Sequence, residues 1–137
     1  MADLRLAALT EGDSRAVPDA LGFVDSFASW ISDHLPTHLP FVAELGDDVV
    51  GMAWLVLTER VPSPERRYRR SGDVQSMYVV PEVRDHGIGA ALLEAVLADA
   101  DRLALEHVTV HSSDQAVPLY QRAGFQHDPR WLGREPG

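Results

Sequence analysis

The chain contains no cysteine and no lysine. Without cysteine there are no disulfides, no thiolate metal ligands and no cysteine nucleophile. Without lysine there is no Schiff-base catalysis and no Walker-type phosphate loop, whose lysine reaches the phosphates. Positive charge is scarce: Lys+Arg number 12, all of them arginine, against 21 Asp+Glu, for a net charge of −9. That balance argues against a nucleic-acid partner, which needs a broad positive footprint. No apolar run approaches the roughly 20 residues that cross a bilayer. The opening Met1-Ala2-Asp3-Leu4-Arg5 has no signal-peptide layout. The expectation is a soluble cytoplasmic protein with no membrane partner.

What is present is a globular composition, 45% apolar and 24% charged over 137 residues. That is enough for a single domain, expected to span 1–137, with its own core. Leu4 to Ala8 alternates and reads as a short strand. From about Ala16 to Leu35 the spacing is helical, interrupted by Pro18, with Leu21, Val24, Phe27, Ala28 and Ile31 on the face expected to be buried. Pro36 and Pro40 make 34–40 a breaker segment. Phe41–Leu45 and Val49–Leu57 read as a hairpin turned at Gly46-Asp47-Asp48. An arginine- and proline-rich loop fills 61–71, and a strand runs from Val74 to Val80. A helix follows from about Ile88 to Leu105, with Ile88, Leu92, Val96, Ala100 and Leu103 along one face. His107–His111 reads as a strand and Asp114–Ala123 as a helix capped by Gly124. The tail offers short strands near Phe125 and Trp131. Hairpins followed by a βαβ unit imply an α/β mixed sheet with helices on its faces.

Residues 74–92, VQSMYVVPEVRDHGIGAAL, carry the chemistry. A strand stops at Pro81, a short loop follows, and Gly87 and Gly89 open the long helix. The first turn of a helix leaves N–H groups unpaired and adds about half a positive charge, which suits an anion. Glycine lets main chain approach it closely. Amides from about Asp85 to Ala90 could therefore converge on phosphate oxygens. A dinucleotide fingerprint would need a third glycine where Ala91 and Leu92 stand.

Arg84-x-x-Gly87-x-Gly89, preceded by Met77-Tyr78-Val79-Val80-Pro81 and followed by Ala90-Ala91-Leu92-Leu93, resembles the acetyl-coenzyme A signature of the GCN5-related N-acetyltransferases (GNAT family). Residues 113–125, SDQAVPLYQRAGF, are similar to the family's second block, N-x-x-A-x-x-L-Y-x-x-x-G-F. The resemblance implies a GNAT fold: a central mixed, twisted sheet of six or seven strands flanked by helices, whose fourth strand bulges and splays from the fifth. It implies acetyl-CoA as co-substrate, with no metal, and direct acetyl transfer to a primary amine. Free backbone groups of Met77 and Val79, with Tyr78 between them, would pair with the pantetheine arm. Amides of Arg84, Asp85, His86, Gly87, Ile88, Gly89 and Ala90 would hold the diphosphate. The Val79 N–H would polarise the thioester carbonyl. Tyr120 matches the tyrosine that protonates the departing thiolate.

Two departures stand out. Ser113 replaces the family's asparagine, where it can hydrogen-bond pantetheine or cap a helix, and Gln75 and Ser76 stand where many relatives carry a glutamate base. Asp73, Glu44, His111 and His34 are the candidate bases. The alternative is a non-catalytic CoA-binding regulatory module on the same fold. Tyr120 taken alone would also read as a core tyrosine. The acceptor, a small-molecule or protein amine, stays open: net negative charge favours a cation, the arginines at 60, 66, 67, 69 and 70 an anion. Trp30, Trp54 and Trp131 read as core or interface residues, with Trp54 also placed to line an acceptor cleft. A homodimer is expected if the chain's last strands leave an open sheet edge.

Overall fold

The computed structural model describes residues 20–136. The strand expected at Leu4–Ala8 and the helical turn before Ala20 lie outside them, as do the side chains of Leu21 and Val24. The elements are α1 (Ala20–His34), β1 (His38–Leu45), β2 (Asp48–Glu59), β3 (Arg70–Val79), a 3-10 turn (Pro81–Val83), α2 (Ile88–Arg102), β4 (Val108–Val110) and α3 (Val117–Arg122). The four described strands form one open mixed sheet in the order β1-β2-β3-β4, antiparallel except for the parallel β3–β4 pair.

Strand β2 sits in the middle of the sheet and explains its two faces, because successive side chains point to opposite sides. Ala53 and Leu55 join the buried cluster made with Val74, Leu92, Leu93, Val96 and Ala100, so α2 covers that face. Trp54 points the other way and meets Phe27 and Trp30 of α1 at centroid distances of 6.1 and 6.2 Å. Gly72 of β3 has no room for a side chain: a Cβ there would lie 2.8 Å from both Leu55 and Leu105. Glycine lets the α2–β4 connection close onto the sheet at that point.

Several boundaries differ from the sequence reading. Strand β1 begins at His38 and runs through Pro40, which pairs with Trp54. Among the described strands β1 has a neighbour on one side only, so proline's missing N–H breaks no ladder on the other. The turn between β1 and β2 is Gly46-Asp47, with Gly46 at φ +61°. Strand β3 starts at Arg70 rather than Val74. Arg69 just before it grips Glu106 through Nε and Nη2 at 2.9 and 3.1 Å, drawing the chain into register. Helix α2 ends at Arg102, not Leu105, because Ala104 turns left-handed at φ +56° while the Leu105 N–H returns to the Ala100 carbonyl. Ala28, expected on the buried face of α1, is exposed; Phe23, Phe27 and Trp30 form a contacting ring row instead.

Residues 125–136 contain no strand, and the strand expected at Leu4–Ala8 lies outside the described residues, so four strands are described where six or seven were expected. Within the tail, Asp128 accepts hydrogen bonds from both the main-chain N–H and the Nε of Arg130, at 2.8 and 3.1 Å, and bends the tail at Pro129.

Candidate active site

Strands β3 and β4 part company early. They pair only at Gly72–Val108, Asp73–Thr109 and Val74–Val110, and β3 then continues alone to Val79. On its other side β3 carries a bulge. Met52 faces Tyr78 and Trp54 faces Gln75, so Ser76 and Met77 together oppose Ala53. Ser76 takes φ +54° to make that bulge. The expected splay and bulge are therefore both present, at one place.

The gap opens into two clefts that share Met77, Ser113, Ala116 and Tyr120. One, of about 510 Å³, lies between Met77–Val79, the 83–90 turn and α3. The other, also about 510 Å³, lies between residues 73–77 and 110–113. Tyr120 projects from α3 to their junction. Its side chain is packed into the core, the residue being 6% exposed. Its hydroxyl donates to the Met77 sulfur at 3.7 Å and its ring meets Phe125 edge-on at 5.5 Å. Burial pushes the phenol above its usual range, so it holds its proton through neutral pH.

The turn into α2 has the chemistry of a phosphate cradle. Gly87 is its N-cap at φ +79°, with no side-chain cap, and the space where a Cβ would stand is empty. Asp85 is also left-handed, at φ +66°. The His86 ring donates through Nδ1 to the Arg84 carbonyl at 2.8 Å and so braces the turn. Ile88, Gly89 and Ala90 form the first turn, with the first amide-to-carbonyl bond running from Ala91 to Gly87 at 3.0 Å. Uncapped donors, a helix dipole and open space over glycine fit a diphosphate.

Two expected contacts are changed. The Arg84 amide is engaged with the Pro81 carbonyl at 3.3 Å, which leaves donors from Asp85 onward. The Val79 carbonyl accepts the Arg84 Nε–H at 2.8 Å, while the guanidinium lies 5.3 Å over the Tyr78 ring. The Arg84 side chain is thus folded back on β3. Ser113 is exposed; its carbonyl receives the Ala116 N–H at 3.1 Å, beginning the turn into α3.

Of the four candidate bases, Asp73 and His111 line the second cleft and Glu44 and His34 do not. Asp73 already accepts from the Thr109 hydroxyl at 2.6 Å and from Gln75 Nε2 at 2.9 Å. His34 donates through Nδ1 to the Trp30 carbonyl at 2.7 Å. Among the described residues no cluster of three or more His, Cys, Asp or Glu is placed to hold a metal ion. Nor is any described helix long and apolar enough to cross a membrane.

Sequence reasoning placed Trp54 beside an acceptor cleft but missed the rest of the wall around it. Phe23, Ser26, Phe27, Trp30, His38, Trp54, Val56, Gln75 and Ser76 enclose a third pocket of about 390 Å³ on the α1 face. The spacing of Phe23, Phe27 and Trp30, four and then three residues apart, was the available signal.

A family model for the acetyltransferase (GNAT) domain matches residues 25–130. The chain is 32% identical over 88 residues to a mycothiol acetyltransferase of Geodermatophilus obscurus, a match covering 62% of this chain and 28% of that protein. The chain therefore spans well under half of that relative's length. Among solved structures it is similar to a predicted acetyltransferase with acetyl-CoA from Clostridium acetobutylicum, with a TM-score of 0.75 at 20% identity over 98% of this chain and 86% of that one. A GCN5-related N-acetyltransferase from Ralstonia eutropha JMP134 superposes with a TM-score of 0.69 at 23% identity, covering 98% and 94%. At these identities the structural likeness speaks for the fold.

Proposed function

Because the chain belongs to the GNAT acetyltransferase family, we propose that it is an N-acetyltransferase acting as one domain, which passes acetyl from acetyl-CoA directly to a primary amine. One observation carries this reading: β3 and β4 separate beyond Val74 and Val110, and the Tyr120 hydroxyl stands in the gap. A sheet that opens between two of its strands exposes main-chain donors and acceptors that an extended amide chain can fill. Met77, Tyr78 and Val79 would take the pantetheine arm, with Arg84 released from the Val79 carbonyl. Asp85 through Ala90 would hold the diphosphate, and Ser113 would stand beside the arm.

The amine must attack the thioester carbonyl while neutral. The C–N bond forms, the C–S bond breaks, and the amine gives up a proton. The Val79 N–H would polarise the carbonyl, and Tyr120 would hand its proton to the departing sulfur. His111, which lines the cleft that Tyr120 enters, is the acceptor we assign for the amine proton, through water. Asp73 is less suited, since both its oxygens already accept hydrogen bonds. Donation by a positioned acid is typically worth about 10²–10⁴-fold.

The test is thiol release from acetyl-CoA with a panel of primary amines, with product mass read for a gain of one acetyl group. Turnover that falls in Tyr120→Phe supports the reading. Binding of acetyl-CoA without turnover of any amine favours the non-catalytic module instead. That second reading draws on Gln75, whose amide is tied to Asp73 and which places no carboxylate in the gap.

A further inference from the structure

The pocket on the α1 face is built unlike an ionic recognition site. Its walls are Phe23, Phe27, Trp30, Trp54 and Val56, and its polar groups are Ser26, His38, Gln75 and Ser76. Among the described residues no aspartate, glutamate or arginine lines it. Trp30 and Trp54 meet at 6.2 Å and 72°, forming a corner, and Phe27 closes it at 5.9 and 6.1 Å from the two indoles. Gln75 and Ser76 line both this pocket and the cleft that holds Tyr120. The bulge at Ser76 is therefore the wall the two spaces share, and a molecule lodged against the indoles points its near end at the gap.

We infer that this pocket is the acceptor site of the proposed transfer, and that it selects a primary amine borne on an apolar, ring-sized body. The inference rests on that proposed function. A polyamine or an aminoglycoside needs carboxylates to offset the cost of stripping water from several ammonium groups, and the described residues of the pocket offer none. A phosphorylated or acidic acceptor needs arginines, and those cluster elsewhere: Arg60, Arg66 and Arg69 face Glu106. An apolar body gains by leaving water, and aromatic walls suit it. A volume of about 390 Å³ admits one ring and a short chain but no large polymer.

His38 fits this scheme. A continuous chain in which its Nδ1–H donates to the Thr37 hydroxyl at 2.7 Å, which in turn donates to the His34 carbonyl at 3.3 Å, leaves Nε2 as a neutral acceptor on the pocket side. Burial, and the charge of His34 beside it, hold His38 below its usual range and thus uncharged near neutral pH.

The experiment compares 2-phenylethylamine, spermidine and D-glucosamine as acceptors by thiol release and product mass. We expect kcat/KM for 2-phenylethylamine to exceed the other two at least about tenfold, the discrimination a pocket of this kind can supply. Trp30→Ala should lose about that factor, mostly through KM, while Trp30→Phe recovers most of it. Trp30 is 39% exposed, and the Tm of Trp30→Ala beside that of the wild type separates lost selectivity from lost packing. Preference for spermidine or glucosamine overturns the inference and leaves acetyl transfer standing. If no amine is acetylated, the proposed function fails, and the pocket is then read by quenching of tryptophan fluorescence with 2-phenylethylamine. Saturable quenching by 2-phenylethylamine that excess spermidine or D-glucosamine does not reverse upholds the selectivity of the pocket; its absence, or reversal by either, overturns it.

Discussion

The hydroxyl of Tyr120 lies 3.7 Å from the sulfur of Met77, bridging α3 and β3 where the sheet opens. A methionine sulfur is a weak acceptor. The phenol is therefore held in place without spending its proton on a strong partner, and it can be redirected to a better one. Replacement by phenylalanine keeps the ring packed against Phe125 and removes only that proton. We expect Tyr120→Phe to fold with an unchanged Tm, to bind acetyl-CoA normally, and to turn over about 10²-fold more slowly. The pH profile adds a check. Burial raises the phenol above its usual range, so the wild-type rate should show no Tyr120-dependent decline around neutral pH.

Gly87 starts α2 in a left-handed conformation, with open space on the side where a side chain would project. An alanine there would cost about 1–2 kcal/mol in backbone strain and would set a methyl group in the space assigned to phosphate. Gly87→Ala should weaken acetyl-CoA binding more than it lowers the Tm. Titration calorimetry beside thermal unfolding separates the two effects, and equal binding in both proteins would remove the 85–90 turn from the site.

Glu106 is the hinge of the arginine loop. Its side chain is 4% exposed and meets Arg66 at 3.0 Å, Arg69 at 2.9 Å and Arg60 at 3.8 Å. The Arg69 hydrogen bond, ahead of the surrounding guanidinium charges, holds the carboxyl below its usual range. A depressed carboxyl contributes stability that is present above its unfolded value and disappears as pH falls through the folded one. Unfolding followed from pH 6 to pH 3 should show that loss in the wild type and much less of it in Glu106→Gln. The variant should have a lower Tm at pH 7 than Arg66→Ala, because it leaves three arginines facing one another.

Ala104 closes α2 at φ +56°, a conformation natural to glycine. Ala104→Gly should raise stability by about 0.5–1 kcal/mol, with activity unchanged. Chemical denaturation would read it, and destabilisation would mean that the methyl group is needed for packing.

Much of the site was legible from residue order alone. Gly87 and Gly89 after Pro81 announced a strand, a turn and an anion-ready helix, because glycine placement and proline breaks act locally. The buried row Leu92, Val96 and Ala100 followed from helical spacing. The Gly46-Asp47 turn followed from glycine between two apolar runs. Each of these depends on a few neighbouring residues.

What local order left open depended on distant partners. The bulge was expected only through the family resemblance, since Gln75-Ser76-Met77 by themselves do not signal it; Met52 and Trp54 fix the register of β2 on either side of it. Strand β3 begins early because Glu106, 37 residues beyond Arg69, anchors its entry. The tail after Phe125 forms no strand, and Asp128 and Arg130 hydrogen-bond to each other within it. Residue order thus determined which segments coil or extend and where glycine opens a helix, since those choices belong to backbone sterics within a turn or two. Only tertiary packing decided where the sheet opens, which face the indoles of Trp30 and Trp54 wall off, and that Tyr120 reaches the opening, since strand register and side-chain contact are settled between elements far apart in the chain.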